Sequence, residues 1–453
     1  MTLNTFMFVL VLILLVFSSG MPGVCSVRLL GRHKIFNVLS YGAKADGQRD
    51  DSSAFLAAWH AACSSTGLPV VYVPKMTFLI NPVIFQGPCR NAHMTMQVTG
   101  KLIAPTDNSL WSEQSKNYWL HFMNVIGLTV EGRGILDGRG ASWWTEMNAK
   151  TLRFTGTTNT IVRKITSINS KQFHVNFDTC SNVVVEGVTI KAPGDSPNTD
   201  GIHVGQSSNV EIRNILVGTG DDCISIGPGS SNVAIEGVTC GPGHGISIGS
   251  LGEDNTLAAV KNITVSGASL YNTQNGVRIK TWQGGNGFAT GITFQNVIMN
   301  NVQNPIIIDQ FYSPYGISTQ GNSGVKISNV LYKNITGTSA ANAAISFKCS
   351  ETVPCQGIKV DDIKLSYNGS TKGAQFLCMN AHVTTSDAGA APPYTSVYDS
   401  PTTLIDTTPS GIAPSGFLTT GPQITTPPAL TILSATIACT PLSQPPSASS
   451  HCA

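Results

Sequence analysis

Ser181-Asn182-Val183-Val184-Val185, Ser208-Asn209-Val210-Glu211-Ile212, Ser231-Asn232-Val233-Ala234-Ile235 and Lys261-Asn262-Ile263-Thr264-Val265 are four versions of one phrase. Looser copies begin at Leu128, Ile161, Ile292, Val325 and Ile358, so successive first apolar residues stand 33, 22, 27, 23, 30, 29, 33 and 33 positions apart. A repeat of this size means one stacked structural unit per copy. Each unit holds two or three short pieces rich in Val and Ile, broken by Gly, Asn and Ser, with no helical period of comparable length. No such unit can bury an apolar face alone, but coiling them stacks Ile over Ile from turn to turn. The pattern predicts an all-β chain wound as a right-handed parallel β-helix, a single-stranded solenoid of stacked coils. A β-propeller would repeat nearer 40 residues, and a leucine-rich horseshoe needs regular Leu positions that are absent here.

The rest of the composition agrees. In 453 residues, 27 Lys and Arg face 25 Asp and Glu, and charged residues make up only 11% of the chain. Bulk positive charge therefore does not drive a nucleic-acid partnership, and any anionic ligand must be held by a few placed cations. Hydrophobic residues at 41% exclude disorder throughout. Phe6 to Phe17 is an apolar run too short to span a bilayer but suited to a signal-peptide core, so residues 1–26 are read as a leader cleaved after Gly20, Gly23 or Ser26. Nothing later is apolar enough for a membrane span, and a secreted monomer is expected.

Eleven cysteines fit secretion, with Cys63/Cys89, Cys223/Cys240 and Cys349/Cys355 as local pairs, and no CxxC suggests zinc. Sequons at Asn262, Asn334 and Asn368 are compatible with the same route. Residues 27–384 are read as the solenoid domain. Its less regular opening includes a helix start at Asp50-Asp51-Ser52-Ser53, leading into Ala54 to Trp59, that would cap the first open coil. After Lys372 there is no Lys or Arg, and 11 of 24 prolines fall between Pro392 and Pro446, so 385–453 reads as an extended tail.

Three consecutive coils carry one frame: Asp200-Gly201-Ile202-His203-Val204-Gly205, Asp222-Cys223-Ile224-Ser225-Ile226-Gly227 and His244-Gly245-Ile246-Ser247-Ile248-Gly249. In-register stacking at about 4.8 Å makes Asp200, Asp222 and His244 a column, with Asp221 as a third carboxyl beside it. Asn275-Gly276-Val277-Arg278-Ile279-Lys280 continues the frame with two cations on one face. Clustered acids raise one another's pKa. Such a set suits hydrolysis of an acidic sugar: one protonated carboxyl for the leaving oxygen, one ionised carboxyl for water, and cations for the sugar carboxylate. His174, His203, Asp137, Asp178 and Asp195, taken singly, are read as structural.

Asn198-Thr199-Asp200, Gly220-Asp221-Asp222, Gly243-His244-Gly245 and Arg278-Ile279-Lys280, in this order, resemble the four motifs of the polygalacturonases, the pectin-cleaving family 28 of glycoside hydrolases. The phrases from Cys240 to Gly252 and from Lys280 to Gly285 look like its plant branch, and the likeness runs from about Phe36 to Cys378. The resemblance implies Asp221 as general acid, Asp200 and Asp222 as the water-activating pair, His244 as a helper of the acid, and inversion at the sugar. It implies Asn198, Arg278 and Lys280 as substrate-binding residues, and Tyr312 more weakly, through Asp309-Gln310-Phe311-Tyr312.

The resemblance further implies galacturonan as the polysaccharide partner and no cofactor or metal. Where many plant members carry Cys after that tyrosine this chain has Ser313, so one disulfide is expected to be missing, and Cys378 would turn to Cys439. A calcium-dependent pectate or pectin lyase, a rhamnogalacturonan-cleaving enzyme and an inactive wall-binding homologue remain as other readings.

Overall fold

The computed structural model describes residues 33–113, 115–144, 149–313, 323–367, 374–385 and 435–438. The expected leader and nearly all of the tail lie outside these residues. Each coil gives one strand to an eleven-stranded sheet whose described strands are all parallel, from Val83–Gln86 to Gln375–Met379, with chain-consecutive coils as neighbours. The remainder of each coil runs through a second, larger sheet. This is the parallel β-helix that the repeat predicts.

Register follows the apolar frame. Leu152, Val175, Ile202, Ile224, Ile246 and Val277 lie one above another in successive coils, all buried. Two positions along each strand, Phe85, Phe122, Phe154 and Phe177 form a ring stack with centroid spacings of 4.8, 5.3 and 4.9 Å. Beyond them Val204, Ile226 and Ile248 continue the same column. Stacking apolar side chains at the strand spacing packs the interior coil upon coil.

Two loose copies of the repeat are corrected by the pairing. The residue opposite Val183 is Thr160, not Ile161, and the one opposite Ile292 is Val330, not Val325. Thr160 is fully buried and its hydroxyl donates to Thr157 Oγ1 at 2.9 Å, so a satisfied polar group stands where the frame leads one to look for an aliphatic residue. Val325 is also buried, but it pairs with Gly287 in an earlier part of the coil.

The recurring Asn has its own reason. Asn159, Asn182, Asn209, Asn232 and Asn262 all adopt left-handed backbone, with φ between 55° and 57°. A single residue in that region turns the strand sharply, and Asn tolerates it better than other residues with a side chain. The side-chain amides also form a ladder: Asn182, Asn209, Asn232 and Asn262 each donate to the preceding Asn at 3.0–3.1 Å.

The expected cap is present as the helix Ser52–Cys63. Asp51 precedes it, but its carboxylate accepts from the Lys44 and Ala45 amides (2.6 and 3.0 Å) and not from the helix. Trp59 seats on Phe85 and Phe122 at the open end of the ring stack, and its indole donates to Gln86 O at 3.0 Å. Cys63–Cys89, Cys223–Cys240 and Cys349–Cys355 are bonded as expected, and Cys180 is free and buried. Cys378 is also in a disulfide; Cys439 lies outside the described residues. Of the tail, Ala435–Ala438 pairs antiparallel with Ala381–Thr385. No helix among the described residues is long and apolar enough to cross a membrane.

The ladder yields a test. Asn232→Ala should cost about 2–3 kcal/mol, combining left-handed strain with lost side-chain bonds, whereas Asn232→Gly should cost only about 1 kcal/mol. Urea unfolding of the two variants checks this; equal losses would remove the backbone account.

Candidate active site

Ile202, Ile224 and Ile246 pair in sequence, so Asp200, Asp222 and His244, each two residues earlier, occupy one position of three successive coils. The backbone column is therefore the one that the 22-residue spacing predicts. The side chains sort differently. His244 Nδ1 lies 3.1 Å from Asp221 Oδ1, which also accepts the Asp222 amide at 2.7 Å. One ligating atom each of Asp221, Asp222 and His244 falls within a 4.8 Å group.

Asp222 is the buried centre. It is 1% exposed, and its carboxylate accepts from Ser247 Oγ at 2.7 Å, Arg278 Nη2 at 2.8 Å and Lys280 Nζ at 3.0 Å. Burial pushes its pKa up, but Lys280 and Arg278 outweigh that and hold it below the ordinary carboxylate value. Asp200 is nearly as buried, accepts only from Ser225 Oγ at 2.6 Å, and lies close to Asp221 and Asp222. Burial first, and those two charges second, raise its pKa well above the ordinary range. Two acids of one column are thus driven apart, one toward the neutral form and one toward the ionised form.

Arg278 and Lys280 are brought to one face as expected, but both are engaged with Asp222 and neither stands free to wait for a ligand. The half-buried Tyr312 ring lies over them, 5.0 Å from Lys280 Nζ and 6.0 Å from the Arg278 guanidinium carbon. Asn198 is exposed in a turn with φ 53°, two residues before Asp200. Its neighbour Thr199 braces the turn that carries Asp221: Thr199 Oγ1 accepts the Gly220 amide at 3.1 Å. A Cβ on Gly220 would fall 2.1 Å from Ser196 O, so only Gly permits that close approach.

Of the residues read as structural, Asp137 is paired with Lys101 (2.9 Å), and buried His174 with Ser167 Oγ (2.8 Å). His203 belongs elsewhere. Its Nδ1 meets Ser225 Oγ at 2.8 Å, and that hydroxyl donates to Asp200, so His203 is tied to the site through one serine. Burial keeps the imidazole neutral, with its pKa down to about 4. Gly227 leaves the ring its room, since a Cβ there would sit 3.2 Å from Nε2. Ser225 and Ser247 were missed by residue type, yet a readable signal existed: each is the outward position between two inward Ile residues, three after an acid or His of the column.

The family model of glycosyl hydrolases family 28 matches residues 63–387. A polygalacturonase of Prunus persica is 46% identical over 361 residues, covering 77% of this chain and 91% of the relative. An exopolygalacturonase of Platanus acerifolia is 47% identical over 362 residues, covering 77% and 95%. The chain belongs to glycosyl hydrolase family 28.

Among solved structures, endo-xylogalacturonan hydrolase from Aspergillus tubingensis matches with a TM-score of 0.69 at 25% identity, covering 80% of this chain and 99% of that one. A hyperthermoactive exopolygalacturonase from Thermotoga maritima shares the fold at a TM-score of 0.68 and 19% identity, covering 78% and 92%. As a family 28 member the protein is a glycoside hydrolase, which removes the lyase reading.

The two buried acids should respond oppositely to neutralisation. Asp222→Asn leaves Arg278 and Lys280 without their anion and should cost about 3–5 kcal/mol at neutral pH. Asp200→Asn removes a carboxyl that resists ionising and should leave stability unchanged or raised. The signs follow from linkage. Asp222, with its folded pKa lowered, contributes stability above its unfolded value that is lost as pH falls through the folded one. Asp200, with its folded pKa raised, contributes stability below its unfolded value that is lost as pH rises through the folded one. Denaturant titrations from pH 4 to 8 check both; equal destabilisation would contradict the split.

Proposed function

We propose that this family 28 enzyme is a secreted, extracellular polygalacturonase that hydrolyses α-1,4-galacturonosyl bonds of homogalacturonan with inversion. The observation carrying this is the meeting of Asp221, Asp222 and His244 beside buried Asp200, with Arg278 and Lys280 fixed on the same face. The relatives named polygalacturonase support the substrate. The disulfides Cys63–Cys89, Cys223–Cys240 and Cys349–Cys355 support an oxidising compartment. An intact set of acids, imidazole and cations argues against an inactive wall-binding homologue.

Asp221 is the acid. It is the least buried carboxyl of the three, so it can reach a leaving oxygen, and His244 meets it at 3.1 Å as its helper. Asp222, held ionised, takes the proton from water, and Asp200, held neutral, orients that water from the neighbouring coil. The two cations act twice. A guanidinium has five donors and an ammonium three, so both can donate to a sugar carboxylate while still donating to Asp222. An anion arriving there draws positive charge away from Asp222 and makes it a better base as substrate binds. Binding of the charged sugar thereby strengthens catalysis.

Asp221→Asn should lower hydrolysis of polygalacturonate by about 10²–10⁴-fold with folding intact, and proton NMR of fresh parental digests should show β-configured reducing ends first. Activity within tenfold of the parent, or α product first, would overturn the assignment. Lys280→Met should impair cleavage of free polygalacturonate much more than of the methyl-esterified polymer, since a neutral ester has no use for the cation. Equal loss on both polymers would make Lys280 merely structural.

A further inference from the structure

The site-bearing sheet carries a second group of cations. Lys150 opens the strand Lys150–Thr155, and pairing through Leu152, Val175 and Ile202 sets it in the Asp200 column, two coils or about 10 Å before that acid. Arg153, three residues on, shares a column with His203, Ser225, Ser247 and Arg278, on the opposite side of the carboxyl cluster from Arg278. The two arginines stand five coils or about 24 Å apart.

These cations lack full partners. Among the described residues Lys150 Nζ has no carboxylate within ion-pair distance; it lies over the Phe173 ring at 5.4 Å, and that ring stacks on His203 at 4.6 Å. Arg153 reaches Asp178 only at 3.4 Å, and its buried Nε has no hydrogen-bond partner. Next to it on the sheet, His121 is 7% exposed with Nδ1 also unpartnered. Burial first, then Arg153, holds Lys150 down to about 8, as for a cation short of counter-charge. Buried polar atoms without partners beside incompletely paired cations are costly to keep unless an anion uses them.

Resting on the polygalacturonase reading, we infer that Lys150 and Arg153 form a distal subsite for a second sugar carboxylate, across the cleaved bond from Arg278 and Lys280. A polyanionic chain laid along the sheet would then be gripped by cations on both sides of the acids, which carry the reaction between them. Half-buried Phe173, with Lys150 over it and His203 stacked on it, connects the subsite to the coil that bears Asp200. The subsite serves long substrates, because a short one cannot reach both grips.

Initial rates on oligogalacturonides of increasing length and on polygalacturonate test this, with the parent, Lys150→Met, Arg153→Met and the charge-keeping Lys150→Arg. Each Met variant should lose about tenfold in kcat/KM on the polymer, as expected for one charge-assisted contact, and only about twofold on the shortest substrate cleaved. Lys150→Arg should recover most of the loss. A loss independent of length, or no loss on the polymer, would overturn the subsite. Calorimetric titration of long oligogalacturonides into Asp221→Asn protein, with and without Lys150→Met, reads the same contact without turnover, and unchanged affinity overturns it. A parent that cleaves no galacturonide would instead defeat the functional reading, while the titration still decides the subsite.

Discussion

Ile202, Ile224 and Ile246 are completely buried and lie in register in successive coils, and the strand spacing of about 4.8 Å between them sets the scale of the site. Whatever precedes these residues by two positions is carried along at the same interval. Asp200, Asp222 and His244 are close because three isoleucines are stacked, not because the polar groups attract one another. Slipping one coil by a residue would turn its apolar set outward, so the core's demand for burial is what holds the geometry of the candidate site.

Turns make that register repeatable. A coil closes only if the chain bends at the same point each time, and the left-handed Asn residues supply the bend and bond to one another across coils. The hydrogen-bonded ladder on the outside and the ring stack inside restrain each coil from two sides. The helix Ser52–Cys63 ends the stack by placing Trp59 over it, so the first coil does not leave its aromatic face to water.

Against this regular frame the electrostatics are uneven. Asp200 and Asp222 share a column and nearly equal burial, yet one has a lone serine for a partner and the other has two cations and a serine. Similar positions are therefore pushed in opposite directions, Asp200 toward the neutral carboxyl and Asp222 toward the carboxylate, by the partners that other coils supply. His203 and Ser225 extend the network from Asp200 into the preceding coil, toward Phe173 and Lys150.

Much of this was legible in the residues alone. The Val and Ile period determined the solenoid, and the 22-residue interval determined that Asp200, Asp222 and His244 would align, because both are properties of spacing along the chain. Three disulfides were readable from local separation, and the capping helix from Asp51 and the apolar run behind it. Loose copies misled where a satisfied threonine, Thr160, replaces an aliphatic residue, and where Val330 rather than Val325 keeps the frame.

What only the tertiary structure decided depends on where side chains end. His244 turns to Asp221 and not along its own column; Arg278 and Lys280 close on Asp222; His203 joins the site through Ser225. Lys150 and Arg153 lie far from the motifs in sequence but on the same sheet. Spacing specifies which backbone positions meet, whereas protonation and pairing depend on burial and on charges contributed by other coils, and those exist only once the coils are stacked.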